Sequence, residues 1–435
     1  MELEKIKSIR KTEIEKLAAS PLKRKAKKIV YLLKYGMPFG KFIKYAFSYL
    51  FIIPIAKIKT NLKSKAIKKK YFGNGTNDTC YIGVNIGNAG IGDAIVAIRF
   101  LRDFAGFGTK GTDGHLVFDV FYRSPDSIKF ITSALPNVRR VLNLPDYTLM
   151  RKFYDIDLKL NTFFIKEEIN ELSRKKISEK FTSILKIIEN IKTSKSPLEK
   201  YIKTRPFSEG ILSDAVTAMG LSRAVYLNNT AGIASPDDTL KLNIDIYSAE
   251  TITAKFNLKG VKFITVHDGW DENTKTKTGS STKSYPPQKW QELVNMLKHE
   301  FPDYTVVQLG GLGNGSDITG IDLNLRGKTT LKEAASLLAT SSLHIDTDSG
   351  LVHIAASLGT LCAVLFGPTN AEYCSYYSKF PNYITVTPSL CGNCWWSADG
   401  WMENCPRGLN APECMNSIES IDIIKSINEM QILDK

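Results

Sequence analysis

Short apolar runs alternate with amphipathic segments from about residue 78 to residue 369 of this 435-residue chain. Short apolar runs bounded by turn residues predict buried strands, whereas apolar residues three and four positions apart predict helices. The predicted strands are CYIGVNIG (80–87), HLVFDVFYR (115–123), RRVLNL (139–144), VKFITVHDG (261–269), YTVVQLGG (304–311), SLHIDTDS (342–349) and TLCAVLFGPT (360–369).

Helical patterns lie between these strands. The predicted helices are DAIVAIRFLRDFAG, PQKWQELVNMLKHEF, TLKEAASLLATSS, GLVHIAASLG and the lysine-rich segment 165–205. Strand–helix alternation occurs twice, on either side of an irregular middle, so we expect an α/β protein with two doubly wound domains facing each other. Ligands of such sheets bind at the carboxyl ends of the strands, which here means the cleft between the domains. We expect the chain to divide into a basic extension (1–75), a first α/β domain (76–250), a second α/β domain (251–380) and a cysteine-containing segment with a C-terminal helix (381–435).

The positive charge of the chain is confined to its first 70 residues. The whole sequence carries a formal net charge of +14, and residues 1–70 contain 20 Lys and Arg against 4 Glu, a local net of +16. The remaining 365 residues therefore sum to −2. A nucleic-acid-binding core would place basic residues on its recognition surface, so this distribution argues against one, and we expect no nucleic-acid partner.

The basic segment, residues 1–75, has an apolar pattern of its own. Its longest uncharged stretch, Tyr45 to Ala56, has 12 residues, whereas a membrane-spanning helix needs about 20. Aromatic residues, Leu and Ile interleaved with Lys favour amphipathic helices on an anionic membrane surface. The alternative is a helical extension packed on the body. Because the first residues contain no apolar segment of a cleavable signal, we expect a cytoplasmic protein, peripheral on the inner face of the membrane.

A glycine-rich turn, NIGNAGIGDAIVAI (85–98), follows the first predicted strand. Its glycines Gly87, Gly90 and Gly92 are spaced GxxGxG, unlike the dinucleotide fingerprint GxGxxG, and glycines allow a ligand to approach the backbone closely. Asp93 falls in the first turn of the next helix. It either caps that helix or acts as a general base in the cleft.

A second polar segment joins the strand SLHIDTDS to the helix GLVHIAASLG. The free backbone N–H groups of a helix that starts at Ser349–Gly350 would favour a phosphate group. Asp348 is suited to accept hydrogen bonds from sugar hydroxyls. His353, in the first turn of the helix, is either a buried core histidine or part of the site.

A third segment, TKTGSSTKSYPPQKW (276–290), places Lys283 in a loop of small polar residues between a strand and a helix. One lysine in such a loop can neutralise a diphosphate as a point charge. The alternative is an ordinary surface lysine of a flexible loop.

Four of the seven cysteines lie in CGNCWWSADGWMENCPRGLNAPEC (391–414). The predicted ligands of one tetrahedral Zn or Fe ion are Cys391, Cys394, Cys405 and Cys414. Four thiolates leave no open coordination position, so the metal would be structural. The alternative is four reduced structural thiols.

The other three cysteines, and three tryptophans of the cysteine segment, are expected to have packing roles. Cys80, Cys362 and Cys374 have the pattern of small core residues. Trp395, Trp396 and Trp401 would pack the cysteine segment against the body or form a stacking wall near the cleft.

These motifs together resemble glycosyltransferase family 9, the ADP-heptose:lipopolysaccharide heptosyltransferases. The similar segments are GNAGIGDAIVAIRFLR, TKSYPPQKWQEL, IDTDSGLVHIAASLGTLCAVLFGPTN and the C-terminal helix, within residues 78–430. The resemblance implies a GT-B fold, with two facing Rossmann-like domains that bind the acceptor on the N-terminal side and the nucleotide-sugar on the C-terminal side.

The resemblance also implies roles for single residues. Asp93, beside the glycine loop with Gly90 and Gly92, would deprotonate the acceptor hydroxyl for an inverting displacement. The implied donor-binding residues are Lys283, Asp348, Ser349, Gly350 and His353. Lys283 and the helix start would hold the departing diphosphate without a catalytic divalent metal. Asp348 would contact sugar hydroxyls, and His353 would support the loop or the phosphate.

The implied reaction moves heptose from ADP-heptose onto a glycolipid or another cell-surface glycan, as in lipopolysaccharide biosynthesis, or onto a protein. Related autotransporter heptosyltransferases carry a four-cysteine iron site. Residues 1–75 and the lysine-rich segment 165–205 depart from the family pattern on the acceptor side. Two alternatives stay open at this point, a GT-B enzyme that does not transfer sugar, such as an epimerase or hydrolase, and a basic nucleic-acid-binding protein with a zinc module.

Overall fold

A computed structural model describes most of the chain beyond residue 78. The described residues are 71–72, 78–87, 89–195, 209–235, 237, 239–269, 280–313, 315–375, 383–398, 400–431 and 433. The basic segment lies outside them except for Tyr71 and Phe72, so its predicted contact with a membrane stays a prediction. Within the described ranges no helix is both long and apolar enough to cross a membrane.

A five-stranded sheet forms the first half of the described chain, in the order β3-β2-β1-β4-β5. Its strands are β1 Thr79–Gly87, β2 His115–Tyr122, β3 Val138–Asn143, β4 Ile156–Asn161 and β5 Phe164–Ile169. β1 pairs in parallel with β2 and β4, and β5 runs antiparallel to β4. The central strand β1 is buried along most of its length, as expected for an apolar inner strand of a parallel sheet.

The helices of this half surround that sheet. They are α1 Ile91–Gly108, α2 Pro125–Thr132, α3 Leu144–Met150, α4 Arg174–Lys180, α5 Thr182–Lys195, α6 Glu209–Ala218, α7 Arg223–Ala231 and α8 Ile246–Lys255, with 3₁₀ turns at Arg151–Phe153 and Glu171–Ser173. The irregular middle of the sequence thus contains several helices in its described part.

The helical prediction for 165–205 is wrong at its beginning. Residues 164–169 form strand β5 of an antiparallel hairpin with β4, and the helices begin only at Arg174. The missed signal is the period-two alternation of IDLKLN in β4, which buries alternate apolar side chains and provides a partner for the polar strand FIKEEI. Residues 196–208 of the predicted segment lie outside the described residues.

A second sheet of six strands has the order β11-β10-β9-β6-β7-β8, and all its pairings are parallel. The strands are β6 Phe263–His267, β7 Thr305–Gln308, β8 Leu323–Asn324, β9 Leu343–Thr347, β10 Cys362–Leu365 and β11 Tyr383–Val386. The helices are α9 Pro287–Glu300, α10 Leu331–Thr340, α11 Gly350–Leu358, α12 Ala371–Cys374, α13 Glu413–Asn416 and α14 Ser420–Glu429. Every strand predicted in this half is present, whereas β8 and β11 were not predicted from the sequence.

The two halves touch through helices α1 and α11, which start at facing ends of their sheets. The cysteine segment, residues 391–414, is built into the body. Trp395 and Trp401 belong to the core cluster that contains β1, and Cys414 packs in the core beneath α9 and α14. A separate cysteine-rich module is therefore not confirmed, and the domain divisions stay predictions. The predicted core cysteines Cys80, Cys362 and Cys374 are buried.

Candidate active site

A cavity of about 840 Å³ lies between the two sheets. Its walls come from turns that follow the carboxyl ends of strands in both halves, which is where ligands bind in doubly wound sheets. All eight predicted cleft residues line it, namely Gly90, Gly92, Asp93, Lys283, Asp348, Ser349, Gly350 and His353. The structure thus brings together three motifs whose residues are up to 263 positions apart in the sequence.

Asp93 lies in the first turn of α1, where it caps the helix and also lines the cavity. Its Oδ2 accepts a hydrogen bond from the N–H of Gly90 at 3.2 Å, which caps the helix. Its Oδ1 lies 3.3 Å from Nη1 of Arg223, and 37% of its side chain remains exposed. The carboxylate is therefore anchored but can still be reached from the cavity, as a base must be.

Arg223 connects Asp93 to the other half of the molecule. It begins helix α7 and is buried, and its Nη2 donates to Nε2 of His353 at the start of α11. Burial, together with the positive charge of Arg223, holds the pKa of His353 well below its ordinary value. His353 is therefore a neutral acceptor for the arginine, and it is a buried histidine that lines the cavity.

The glycines of the two junctions allow this close approach. A Cβ atom at Gly92 would lie 2.4 Å from Cδ2 of His353, and one at Gly350 would lie 3.2 Å from Cβ of Ile91. A distance of 2.4 Å is shorter than real Cβ atoms show. A side chain at position 92 would therefore push the two helix starts apart. Contact between the two halves of the protein thus explains the glycine at position 92.

Lys283 and Asp348 form an ion pair inside the cavity. Nζ of Lys283 lies 3.0 Å from Oδ2 of Asp348 and also donates to the backbone carbonyl of Asp348. Burial alone would raise the pKa of Asp348, but the positive charges of Lys283 and Arg223 lower it to about 2. Asp348 is thus ionised at neutral pH, and the lysine ammonium is held at the entrance to helix α11.

Ser349 caps helix α11, and its hydroxyl group is held by a buried cluster of Asp346 and His267. Its Oγ accepts from the N–H of Leu351 at 3.2 Å and donates to Oδ2 of Asp346 at 2.5 Å. Oδ1 of Asp346 lies 3.0 Å from Nδ1 of His267. Burial by itself would lower the pKa of His267, but the charge of Asp346 raises it above its ordinary value, which favours an imidazolium beside the cavity.

The cysteine segment holds the loop that carries Lys283. The backbone N–H of Thr282 donates to the carbonyl of Met402 at 2.9 Å, and Oγ1 of Thr282 donates to the carbonyl of Trp401 at 2.8 Å. Oγ of Ser281 adds a third bond, to the carbonyl of Met402 at 3.1 Å. The predicted packing of this segment against the body is therefore present, and it acts on a residue of the cavity.

The predicted metal site is not confirmed by the structure. Among the described residues no group of three or more His, Cys, Asp or Glu side chains lies close enough to hold a metal ion. Cys391, Cys394 and Cys405 are half-buried and Cys414 is buried. None of the four lines the cavity, although Trp395, Trp396 and Trp401 from the same segment do.

Sequence patterns did not single out two residues of the cavity. Arg223 follows a serine in a segment of mixed composition. No local sequence pattern distinguishes it from an arginine on the protein surface. His267 ends strand β6, and a histidine at the carboxyl end of a predicted parallel strand was a usable signal. Both residues line the cavity.

Comparison with known proteins agrees with the arrangement of two sheets and a cleft. Residues 273–394 match the family model described as Glycosyltransferase family 9 (heptosyltransferase). The chain is 45% identical over 51 residues to Lipooligosaccharide heptosyltransferase 2 of Haemophilus influenzae, which is 12% of this chain and 15% of the relative. It is 31% identical over 102 residues to Lipopolysaccharide heptosyltransferase 2 of Salmonella typhimurium, which is 21% of this chain and 29% of the relative.

Residues 273–394 thus match the family that the motifs predicted, glycosyltransferase family 9. The sequence matches span less than a third of the length of these two curated relatives. A solved structure of the E. coli ADP-heptose lipopolysaccharide heptosyltransferase II aligns over 80% of this chain and 98% of its own, with a TM-score of 0.50 and 14% identity. At that identity the likeness confirms the fold, an α/β architecture with parallel sheets like that of GT-B heptosyltransferases.

Proposed function

We propose that the protein is an inverting glycosyltransferase that moves heptose from ADP-heptose to a hydroxyl group of a glycolipid or another cell-surface glycan. One observation carries the proposal, namely that Asp93 of the first half and the Lys283–Asp348 pair of the second half face the same cavity. The first half, residues 76–250, would receive the acceptor, and residues 251–380 would bind the donor.

In this mechanism Asp93 removes the proton from the acceptor hydroxyl. The oxygen then attacks the anomeric carbon of the heptose while the bond from that carbon to the diphosphate oxygen breaks, so the configuration inverts and ADP leaves. Gly90 and Arg223 hold the two carboxylate oxygens of Asp93, which restricts the side chain to one orientation toward the cavity. Such positioning of a base contributes about 10²–10⁴-fold to a rate.

The departing diphosphate needs positive charge, and the second half supplies it. Lys283 and the free N–H groups at the Ser349–Gly350 start of α11 point to the same region. His267, with its raised pKa, adds a third group on that side. Asp348 would accept hydrogen bonds from hydroxyl groups of the transferred sugar. We infer that this set takes the place of a divalent metal in the transfer step.

The reaction is tested with ADP-heptose that carries a label in the sugar, mixed with purified protein and a bacterial glycolipid extract. Transfer of label to the lipid fraction supports the proposal. Release of free heptose without lipid labelling, or epimerised donor, would instead identify a GT-B enzyme that does not transfer sugar. Parallel reactions with other nucleotide-sugars identify the donor.

The basic segment, residues 1–75, would place the enzyme on the cytoplasmic face of the membrane, where glycolipid acceptors are available. Its alternation of basic clusters and aromatic-rich apolar stretches supports this proposal. Fractionation of cells at low salt, high salt and carbonate provides the test. Full recovery in the soluble fraction at low salt would contradict it.

The four-cysteine metal site stays a prediction from spacing and from the chemistry of thiolate ligands. A Zn or Fe ion on Cys391, Cys394, Cys405 and Cys414 would need the side chains to draw closer than the structure places them. Elemental analysis of the purified wild type and of Cys391→Ser is the test. A folded wild type without metal would refute the site.

A further inference from the structure

Asp346 is a fully buried carboxylate that holds one side of the His267 ring. It lies on β9, is 0% exposed, and its Oδ1 and Oδ2 both lie 3.0 Å from Nδ1 of His267 at the end of β6. Oδ2 also accepts from Oγ of Ser349 at 2.5 Å and lies 3.2 Å from Nε2 of His344. A buried carboxylate needs hydrogen bonds and charged partners, and these three side chains supply them.

The opposite side of the His267 ring, at Nε2, faces the cavity. His267 lines the cavity with 8% of its side chain exposed, whereas Nδ1 is covered by Asp346 and Ser349. Nε2 has no hydrogen-bond partner among the described residues, and it is not fully buried. A Cβ atom at Gly269 would lie 2.2 Å from Nε2 and one at Gly310 would lie 3.1 Å from it, and both glycines line the cavity. The two glycines therefore leave the Nε2 edge open to a ligand.

The charges around His267 favour a protonated ring. Asp346 on β9 and Asp268, the residue after β6, are the acids that face it, and Arg326 after β8 is the base, itself paired with Asp317 at 2.7 Å. Burial would lower the pKa of His267, but the charge and hydrogen bond of Asp346 raise it above its ordinary value. Burial also raises the pKa of Asp268, to about 7. A protonated ring has an N–H at Nε2, which is a donor for an anion.

Two cationic side chains are fixed on neighbouring residues at the start of α11. Nζ of Lys283 donates to the backbone carbonyl of Asp348, and Nδ1 of His267 lies 3.2 Å from Oγ of Ser349, the next residue. Ser349 is the N-cap of α11, so both cations lie beside the free N–H groups of that helix. A helix start with two cations favours a ligand that carries more than one negative charge, as a diphosphate does.

We propose that Nε2 of His267 donates a hydrogen bond to the diphosphate of the nucleotide, and that Asp346 is the positioning residue that fixes the ring for this contact. The inference rests on the donor role proposed for this half and adds to it a contact that depends on a proton. Because Asp346 keeps a proton on Nδ1, a neutral ring would present an unprotonated Nε2 to the phosphate oxygens and would not donate. The affinity for ADP is therefore highest below the pKa of His267 and falls as the pH rises through it.

Calorimetry of ADP binding between about pH 6 and pH 9 tests this dependence, since the range spans the ordinary pKa of histidine and values above it. Wild type is expected to bind ADP about tenfold more weakly at the upper end, the effect of one charge-assisted hydrogen bond. His267→Gln stays polar but cannot be protonated, so it is expected to lose this difference. The control is His299→Gln, which removes an exposed histidine of α9 in the same half and should keep the wild-type pH dependence.

Histidine-selective ¹⁵N NMR gives a second measurement on the wild type itself. The chain has five histidines, and the signal of His267 is identified by its loss in His267→Gln. Saturating ADP is expected to raise the pKa of His267 by about one unit, which is the linked effect of tenfold tighter binding to the protonated ring. Asp346→Asn is expected to lower that pKa and to move the fall in ADP affinity to lower pH, which a merely structural role of Asp346 would not do.

Four outcomes decide the inference. A pH dependence that persists in His267→Gln belongs to another group, with Asp268 the first candidate, and refutes the contact. A His267 signal that does not respond to saturating ADP also refutes it. If wild type does not bind ADP at any pH, the proposed function is contradicted and the inference with it. A pH dependence that is lost in His267→Gln, together with a higher pKa of His267 in the presence of ADP, supports the proposed contact.

Discussion

Two strand-to-helix junctions face each other across the cleft, and they place their aspartates differently. At the first junction Asp93 lies inside the first turn of α1, with 37% of its side chain exposed. At the second junction Asp348 precedes α11 and is buried against Lys283. Asp93 is reached from the cavity, whereas a lysine and an arginine hold Asp348 in its charged form.

The difference fits the two roles proposed for these aspartates. A carboxylate that exchanges a proton with a substrate needs an open side, and Asp93 has one. A carboxylate that only positions charge and accepts hydrogen bonds is better kept ionised by nearby cations, as Asp348 is. Arg223 touches both sides of this arrangement because it pairs with Asp93 and donates to His353.

Replacement of the exposed aspartate is expected to have the largest effect. Asp93→Asn retains an oxygen that can cap α1 but cannot take up the acceptor proton, so kcat should fall by about 10²-fold or more. Steady-state transfer rates measure this, and circular dichroism with thermal melting confirms folding. A folded Asp93→Asn enzyme with normal turnover would remove Asp93 from the proposed mechanism.

Removal of the lysine tests the buried aspartate. Lys283→Met should reduce ADP affinity by about tenfold, the effect of one lost charge-assisted contact, measured by calorimetry. It also leaves Asp348 with less positive charge nearby. The pKa of Asp348 lies at about 2, below its ordinary value of 3.8, so its stabilising effect is complete above pH 3.8 and is lost as the pH falls through 2.

The same variant should therefore unfold more easily at neutral pH. We expect Lys283→Met to lose about 2 kcal/mol of unfolding free energy at pH 7, and the difference from wild type should shrink as the pH approaches 2. Urea titrations of both proteins across this range measure it. A difference that does not depend on pH would show that the ion pair is not its cause.

A glycine substitution tests the contact between the two junctions. Gly92→Ala places a methyl group 2.4 Å from a ring carbon of His353, which is buried and held by Arg223, so it should destabilise the protein by about 1–3 kcal/mol. The control is Gly106→Ala on the same helix, where nothing lies within 4 Å of the new Cβ. That change should stabilise by about 0.5–1 kcal/mol. Equal effects in chemical denaturation would contradict the proposed contact.

The smallest expected effect concerns the support of the Lys283 loop. Thr282→Val removes the hydroxyl bond to the carbonyl of Trp401, so ADP affinity should fall about fivefold, whereas Thr282→Ser should keep it. The control is Thr360→Val, which removes a buried hydroxyl bond to the carbonyl of Leu338 away from the cavity, and for which we expect lower stability and unchanged ADP affinity. If Thr282→Val binds ADP as tightly as wild type, the cysteine segment does not position Lys283.

The motifs could be recognised in the sequence because each depends on local geometry. A helix that starts after a strand needs small residues and a capping group. Gly90, Asp93 and Ser349 could therefore be recognised from short stretches of sequence. The apolar periods of the parallel strands predicted seven strands of the two sheets. The antiparallel strand β5 was mistaken for helix because its sequence FIKEEI is largely polar and its partner was not recognised.

Local patterns and a family motif were enough to predict the α/β architecture, the candidate base and the proposed donor-binding residues. Only the tertiary structure placed Arg223, 130 residues from both Asp93 and His353, between them. It also placed Trp401 and Met402 on the Lys283 loop, across about 120 residues. Contacts over such separations depend on how the two halves pack, and no local hydrophobic period records that packing.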